Sequence, residues 1–90
     1  MLERIDQKKI YKIGALLHRV IRLNEAADKS VYYSLKYSGN VNAVIFAKRK
    51  RGSYEAVYQM TAYMDRDFGC SLDDIEEMIR TEEQVYADAV

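Results

Sequence analysis

The chain has 90 residues, 49% of them apolar, with one cysteine, one histidine and equal numbers of acidic and basic side chains. That length supports one small domain spanning 1–90 and argues against a second. No apolar run approaches the roughly 18 to 20 residues of a membrane-crossing helix, and the charged opening MLERIDQKKI lacks the apolar centre of an export signal, so a cytoplasmic protein without membrane association is expected.

The balanced total conceals an asymmetry. Residues 1–52 carry twelve Lys/Arg against four Asp/Glu, whereas residues 65–90 carry two against nine. Such a division can mark a basic face for nucleic acid, an acidic face for a basic partner, or two regions that neutralise each other in the fold. The single Cys70 cannot form an internal disulfide, which fits a reducing compartment.

In chain order, IDQKKIYKIGALLHRVIRLNEAAD places Ile10, Ile13, Leu17, Val20 and Ile21 at helical spacing, with Leu16 and Leu23 widening the stripe, and predicts an amphipathic helix of about six turns. Gly14 lies inside it, where glycine costs roughly 1 kcal/mol relative to alanine. A close approach by another backbone would account for it. The period then changes to two: Val31, Tyr33, Leu35 and Tyr37 alternate with Tyr32, Ser34 and Lys36. A type II′ turn at Gly39 and Asn40 would pair Tyr33 with Phe46 and Leu35 with Val44. A three-residue loop would instead turn Val41, Ala43 and Ile45 inward. In the first arrangement Ile45 and Tyr32 face outward and are candidates for contact with a partner or a second copy.

The segment 54–64 admits two readings. Alternation allows a third strand with Tyr54, Ala56, Tyr58, Met60, Ala62 and Met64 on one side. Helical spacing of Val57, Met60, Met64 and Phe68, with Ser53 as N-cap and Gly69 as C-terminal residue, favours a helix. Downstream, SLDD at 71–74 reads as a capping box, with Asp73 and Asp74 in the first turn where the helix dipole favours them. Leu72, Ile75, Met78, Ile79, Val85 and Tyr86 supply the buried side. The string TEEQ at 81–84 allows a break near Arg80. The expected architecture is α+β, in the order α-β-β-α-α, with an antiparallel hairpin packed on helices and a third strand at 54–64 as the alternative.

Three sets of residues are candidates for contact. The basic run Lys48, Arg49, Lys50 and Arg51, read as an exposed loop, could neutralise phosphates. Tyr54 and Tyr58 follow it closely and could stack on bases. The acidic set Asp73, Asp74, Glu76, Glu77, Glu82 and Glu83 forms one helical surface. The two segments around it have a helix-turn-helix cadence, but a second helix this acidic would be repelled by DNA. It suits a basic groove on a protein or mimicry of a nucleic-acid backbone. Among eight tyrosines, Tyr32, Tyr54, Tyr58 and Tyr63 are candidates for an aromatic interface. Cys70, beside several aspartates, reads as structural, and His18 as a surface residue next to Arg19 and Arg22. One His and one Cys supply no zinc set and no nucleophile dyad, and no phosphate or calcium loop is present, so no enzyme, cofactor, metal or catalytic residue is expected.

The hairpin string YSGNVNAVIF resembles one in small uncharacterised proteins of phages and mobile elements of Gram-positive bacteria. It covers about ten of the 90 residues. The resemblance implies a genomic context and no chemistry, and it admits a protein that binds and blocks a host protein such as a CRISPR nuclease. The leading expectation is a non-enzymatic protein-binding module whose surface combines the acidic helix with exposed tyrosines. The alternative is a nucleic-acid-binding protein using residues 48–51. A homodimer formed through the outer hairpin face is a third possibility.

Overall fold

The computed structural model describes residues 5–53 and 55–87. Five elements follow one another: α1 (Gln7–Ala26), β1 (Val31–Ser38), β2 (Ala43–Lys50), β3 (Ala56–Tyr63) and α2 (Leu72–Ala87). The strands form an antiparallel sheet in the order β1-β2-β3. Both helices pack on one face of it. The architecture is thus a small α+β domain, and the expected helix over 54–64 is replaced by the third strand.

The reason lies in where the side chains go. In β3, Tyr58, Met60 and Ala62 pack towards the helices, while the Phe68 that a helical stripe required is 69% exposed. The residues that suggested helix ends serve turns. Ser53 Oγ accepts from the Glu55 amide at 3.1 Å. Gly69 adopts φ +74° and bridges to Ala62; a Cβ there would lie 3.3 Å from the Thr61 carbonyl. β-branched and aromatic residues that fit a pleated, half-buried surface complete the preference.

α1 begins at Asp6, whose Oδ1 accepts from the Lys8 amide at 2.9 Å. Its inward stripe is Leu16, Val20 and Leu23. Ile10, Leu17 and Ile21, expected in that stripe, are exposed. α2 starts with the capping box as expected: the Ser71 amide donates to Asp74 Oδ2 at 2.9 Å and the Asp74 amide to Ser71 Oγ at 3.1 Å. It runs through Arg80 without a break, and Thr81 Oγ1 donates back to the Glu77 carbonyl at 3.0 Å instead of capping a new helix.

The hairpin register matches neither expectation. Tyr33 pairs with Lys48, Leu35 with Phe46 and Tyr37 with Val44, leaving a loop from Gly39 to Asn42. The left-handed residue is Asn42 (φ 52°), not Gly39. Its side chain, fully buried, accepts from the Tyr37 hydroxyl at 2.6 Å, and its carbonyl accepts from the Met64 amide at 2.9 Å. The register differs by two residues from the two-residue turn, so the faces are the same and only the partners change. The inner face therefore holds Tyr33, Leu35, Val44 and Phe46. Tyr33 and Phe46 stack with centroids 6.2 Å apart, and Tyr58 tilts against Phe46 at 5.9 Å.

β1 is an edge strand, and Asn24 of α1 covers its centre. The Tyr33 amide donates to Asn24 Oδ1 at 2.7 Å, and Asn24 Nδ2 donates to the Tyr33 carbonyl at 2.8 Å. One side chain thus occupies both edge groups of one residue and fixes the angle of α1 to the sheet. Replacement by alanine leaves both backbone groups unpaired, so Asn24→Ala is expected to lower unfolding stability by about 2 kcal/mol, measured as a shift of the urea midpoint at unchanged slope.

Candidate functional site

The basic and acidic halves of the sequence meet in the fold. α1 carries five Lys/Arg and one Glu, α2 six carboxylates and one Arg. Lys12 pairs with Asp73 and, at 3.3 Å, with Glu76. Arg19 forks onto Glu83, with Nη2 to Oε1 at 2.6 Å and Nε to Oε2 at 3.1 Å, and also reaches Glu76 at 3.3 Å. These carboxylates raise the pKa of Lys12 and of Arg19, Asp73 and Glu83 being the respective main causes. Of the six carboxylates read as a docking surface, Asp73, Glu76 and Glu83 are thus held by α1. Asp74 caps its own helix, and Glu77 pairs with Arg80 at 2.6 Å.

Glu82 is only 7% exposed. It accepts from the Tyr33 hydroxyl at 2.6 Å, from Lys48 Nζ at 3.0 Å and from the Tyr58 hydroxyl at 3.2 Å, and the Tyr33 and Tyr86 hydroxyls lie 3.1 Å apart. Burial alone would raise the Glu82 pKa, but the donors from Tyr33, Lys48 and Tyr58 outweigh it and hold the carboxyl below its ordinary range. Burial, assisted by the carboxylate, pushes the Tyr33 and Tyr58 hydroxyls up beyond the usual tyrosine range. A general base near neutral pH would need shifts in the opposite directions. The cluster is therefore a polar clamp between α2 and the sheet. Its sequence signal is position: Leu72, Ile75, Ile79, Glu82 and Tyr86 recur at one helical face, so Glu82 stands where an apolar residue is expected.

The basic run is not a loop. Lys48, Arg49 and Lys50 end β2, and only Arg51 lies in the following turn. Alternation splits them: Lys48 points inward to Glu82 and lies 5.8 Å from the Tyr33 ring centroid, while Arg49 belongs to the opposite face beside Tyr32. Arg51 lies over the Tyr32 ring at 5.8 Å, and Arg49 Nη2 is 3.4 Å from Gln59 Oε1. Of the other tyrosines, Tyr58 points inward to Glu82 and Tyr54 falls outside the described residues. Tyr63 lies on the helix-free face at the far corner of the sheet, 5.1 Å from the Arg66 guanidinium and 5.9 Å from Phe68.

Between the two corners that face carries small and polar side chains around a central Ile45, which lies between Lys36 and Thr61. Ala43 and Ala47 are buried between their register neighbours, Ser38 with Tyr63 and Ser34 with Gln59. The three strands together contain four Lys/Arg and no Asp or Glu. The corner tyrosines are separated by about 20 Å along the strands. Arg66 and Phe68 had no sequence-level pointer, because they join the face only through the turn that returns from β3.

A cleft of about 710 Å³ lies between the start of α1, the 64–71 turn and the start of α2. It is bounded by Lys9, whose Nζ donates to the Met64 carbonyl at 2.8 Å, by the Lys12–Asp73 pair and by Cys70. Among the described residues no helix is long and apolar enough to cross a membrane, and no three His, Cys, Asp or Glu side chains converge as metal ligands would. No protein-family model matches the chain, and no curated protein or solved structure is significantly similar to it.

Because the Glu82 pKa is lower in the folded chain than in the unfolded one, its contribution to stability is complete above the ordinary glutamate value of about 4.3 and is lost as pH falls through the folded value. Glu82→Gln is expected to flatten that acid limb in unfolding measured from pH 7 down to about 3. Glu82→Ala strands the Lys48 ammonium and is expected to cost about 3 kcal/mol at neutral pH.

Proposed function

We propose that this chain is a nucleic-acid-binding module that meets a phosphate backbone with the helix-free face of its sheet. The observation that carries the reading is the segregation of charge: the strands hold no carboxylate, while the carboxylates of α2 are engaged by α1, by Lys48 and its tyrosine neighbours, or within α2. Positive potential is left on the side of the molecule away from α2. Arg49 and Arg51 supply cations at one corner, with Lys36 on the same face as Arg49, and Lys50, which by alternation belongs to the helix side with its register partner Val31, adds an exposed charge at the end of the strand. Tyr32 beside Arg51 offers an aromatic ring already flanked by a guanidinium group, and at the other corner Tyr63 and Phe68 offer rings beside Arg66, whose charge is paired with Asp65 at 3.1 Å. Rings and cations together suit a single strand, whose bases stack while its phosphates are neutralised.

Lys48 has no part in this surface. Its ammonium is committed to Glu82, so its loss would disturb the fold instead of the contact.

Fluorescence anisotropy with single- and double-stranded DNA and RNA, across a salt series, tests the reading. The wild type is expected to bind single strands at micromolar or tighter affinity at about 50 mM salt, weakening steeply as salt rises. An Arg49→Ser, Lys50→Ser, Arg51→Ser triple variant is expected to lose that binding and to reduce the log–log salt slope by about 2. Tyr32→Ala should weaken affinity with little change of slope, and Asp74→Asn with Glu77→Gln should change neither. If the wild type shows no binding at low salt, the nucleic-acid reading is discarded. The chain then returns to the protein-binding reading, for which the hairpin resemblance suggests a host protein as bait target.

A further inference from the structure

α1 has two apolar sides, and only one of them is used. Opposite the Leu16, Val20 and Leu23 stripe stand Ile10 (46% exposed), Tyr11 (73%), Leu17 (43%) and Ile21 (52%). The remaining exposed large apolar residues, Tyr37, Val41, Val57, Phe68 and Val85, are scattered over other elements, as is ordinary for a surface. Four on one helix face are not. Gly14 sits at the centre of this second stripe, and a Cβ built on it meets nothing within 4 Å. Among the described residues no contact therefore accounts for a mid-helix glycine.

We propose that two copies of the chain associate through this outer face of α1, crossing antiparallel at Gly14. The face is self-complementary in that arrangement. Residues equidistant from Gly14 meet each other: Tyr11 meets Leu17, Ile10 meets His18, Gln7 meets Ile21, and Asp6 meets Arg22. The end pair is of opposite charge. Arg22 is exposed, its one ion pair among the described residues being a 3.5 Å contact to Glu25, and Asp6 lies at the exposed start of the helix. A parallel crossing would set Arg22 against Arg22 and align the helix dipoles, both unfavourable. The absent side chain at Gly14 lets the two axes approach to the near end of the 8–10 Å range usual for packed helices. Ile10 to Ile21 spans only about 17 Å of helix, so the contact is small and the association weak.

Sedimentation velocity from about 10 µM to 1 mM is the test, because a contact well below standard interface size assembles in that range. The wild type should shift from monomer to dimer with concentration. Leu17→Glu, a surface position, should stay monomeric throughout with an unchanged circular dichroism spectrum; should it fail to fold, Ile21→Lys serves the same purpose. Gly14→Ala separates this role from a structural one. It should raise the unfolding temperature of the dilute monomer and weaken the dimer at least tenfold. A wild type that is monomeric at 1 mM, a dimer that survives both charge insertions, or one that Gly14→Ala strengthens, would each overturn the proposal. So would a dimer that is lost instead on Ile45→Lys, which lies on the outer face of the hairpin.

Discussion

The Glu82 carboxylate is the point on which the fold turns. It receives one donor from each strand, Tyr33 on β1, Lys48 on β2 and Tyr58 on β3, and it belongs to α2. A buried charge of this kind adds little net stability compared with a well-packed apolar residue of similar volume, but losing one partner is costly. It also has a directional demand that leucine lacks. Three donors from three strands must converge on two oxygens, which fixes the rotation of α2 about its axis and its position across the sheet. The aromatic layer lies directly beneath it: Tyr33 and Tyr58, whose hydroxyls reach Glu82, both pack against Phe46.

Around this clamp the two helices share one apolar core and are joined above it by charge. Lys12 and Arg19 lie one α1 face away from Leu16 and Val20, and Asp73, Glu76 and Glu83 answer them from α2. These pairs are partly exposed and screened, so individually they contribute modestly. Collectively they align the helices and remove the negative potential that would otherwise oppose an anion near the molecule. The charges of α1 and α2 thus largely cancel, the sheet is left with its own sign, and the excess of Asp and Glu outside the five elements brings the total to zero.

Much of this was legible in the residues. The periodicities of α1, of the hairpin and of α2 were visible, as was the capping box at Ser71. Local signals do not separate the third strand from a helix, because Ser53 and Gly69 carry the same preferences at turns as at helix ends, and only packing against β2 decides between them. The hairpin register was hidden because Asn42 closes a longer loop through contacts with Tyr37 and Met64, the second of which is distant in sequence. The acidic residues of α2 looked alike in a row. Helical position separates Glu82 from the rest, whereas the partnership of Lys12 and Arg19 with Asp73, Glu76 and Glu83 depends on tertiary placement that no spacing rule supplies. The same limit applied to α1: its two apolar sides could be read as one broad stripe until the sheet showed which side it took.

The division of the basic run by strand alternation has a consequence for how such a sequence can vary. At Lys50 and Arg51 one cation can stand in for another, because both side chains are exposed, one at the end of β2 and one in the turn that follows. The number of residues in the run is not similarly free. Deleting or inserting one residue within β2 would rotate the end of the strand by half a turn, carry Lys48 to the outer surface and bring an alanine or an arginine beneath Glu82. The spelling of this stretch can drift, but its length is locked by a carboxylate on the other layer of the molecule.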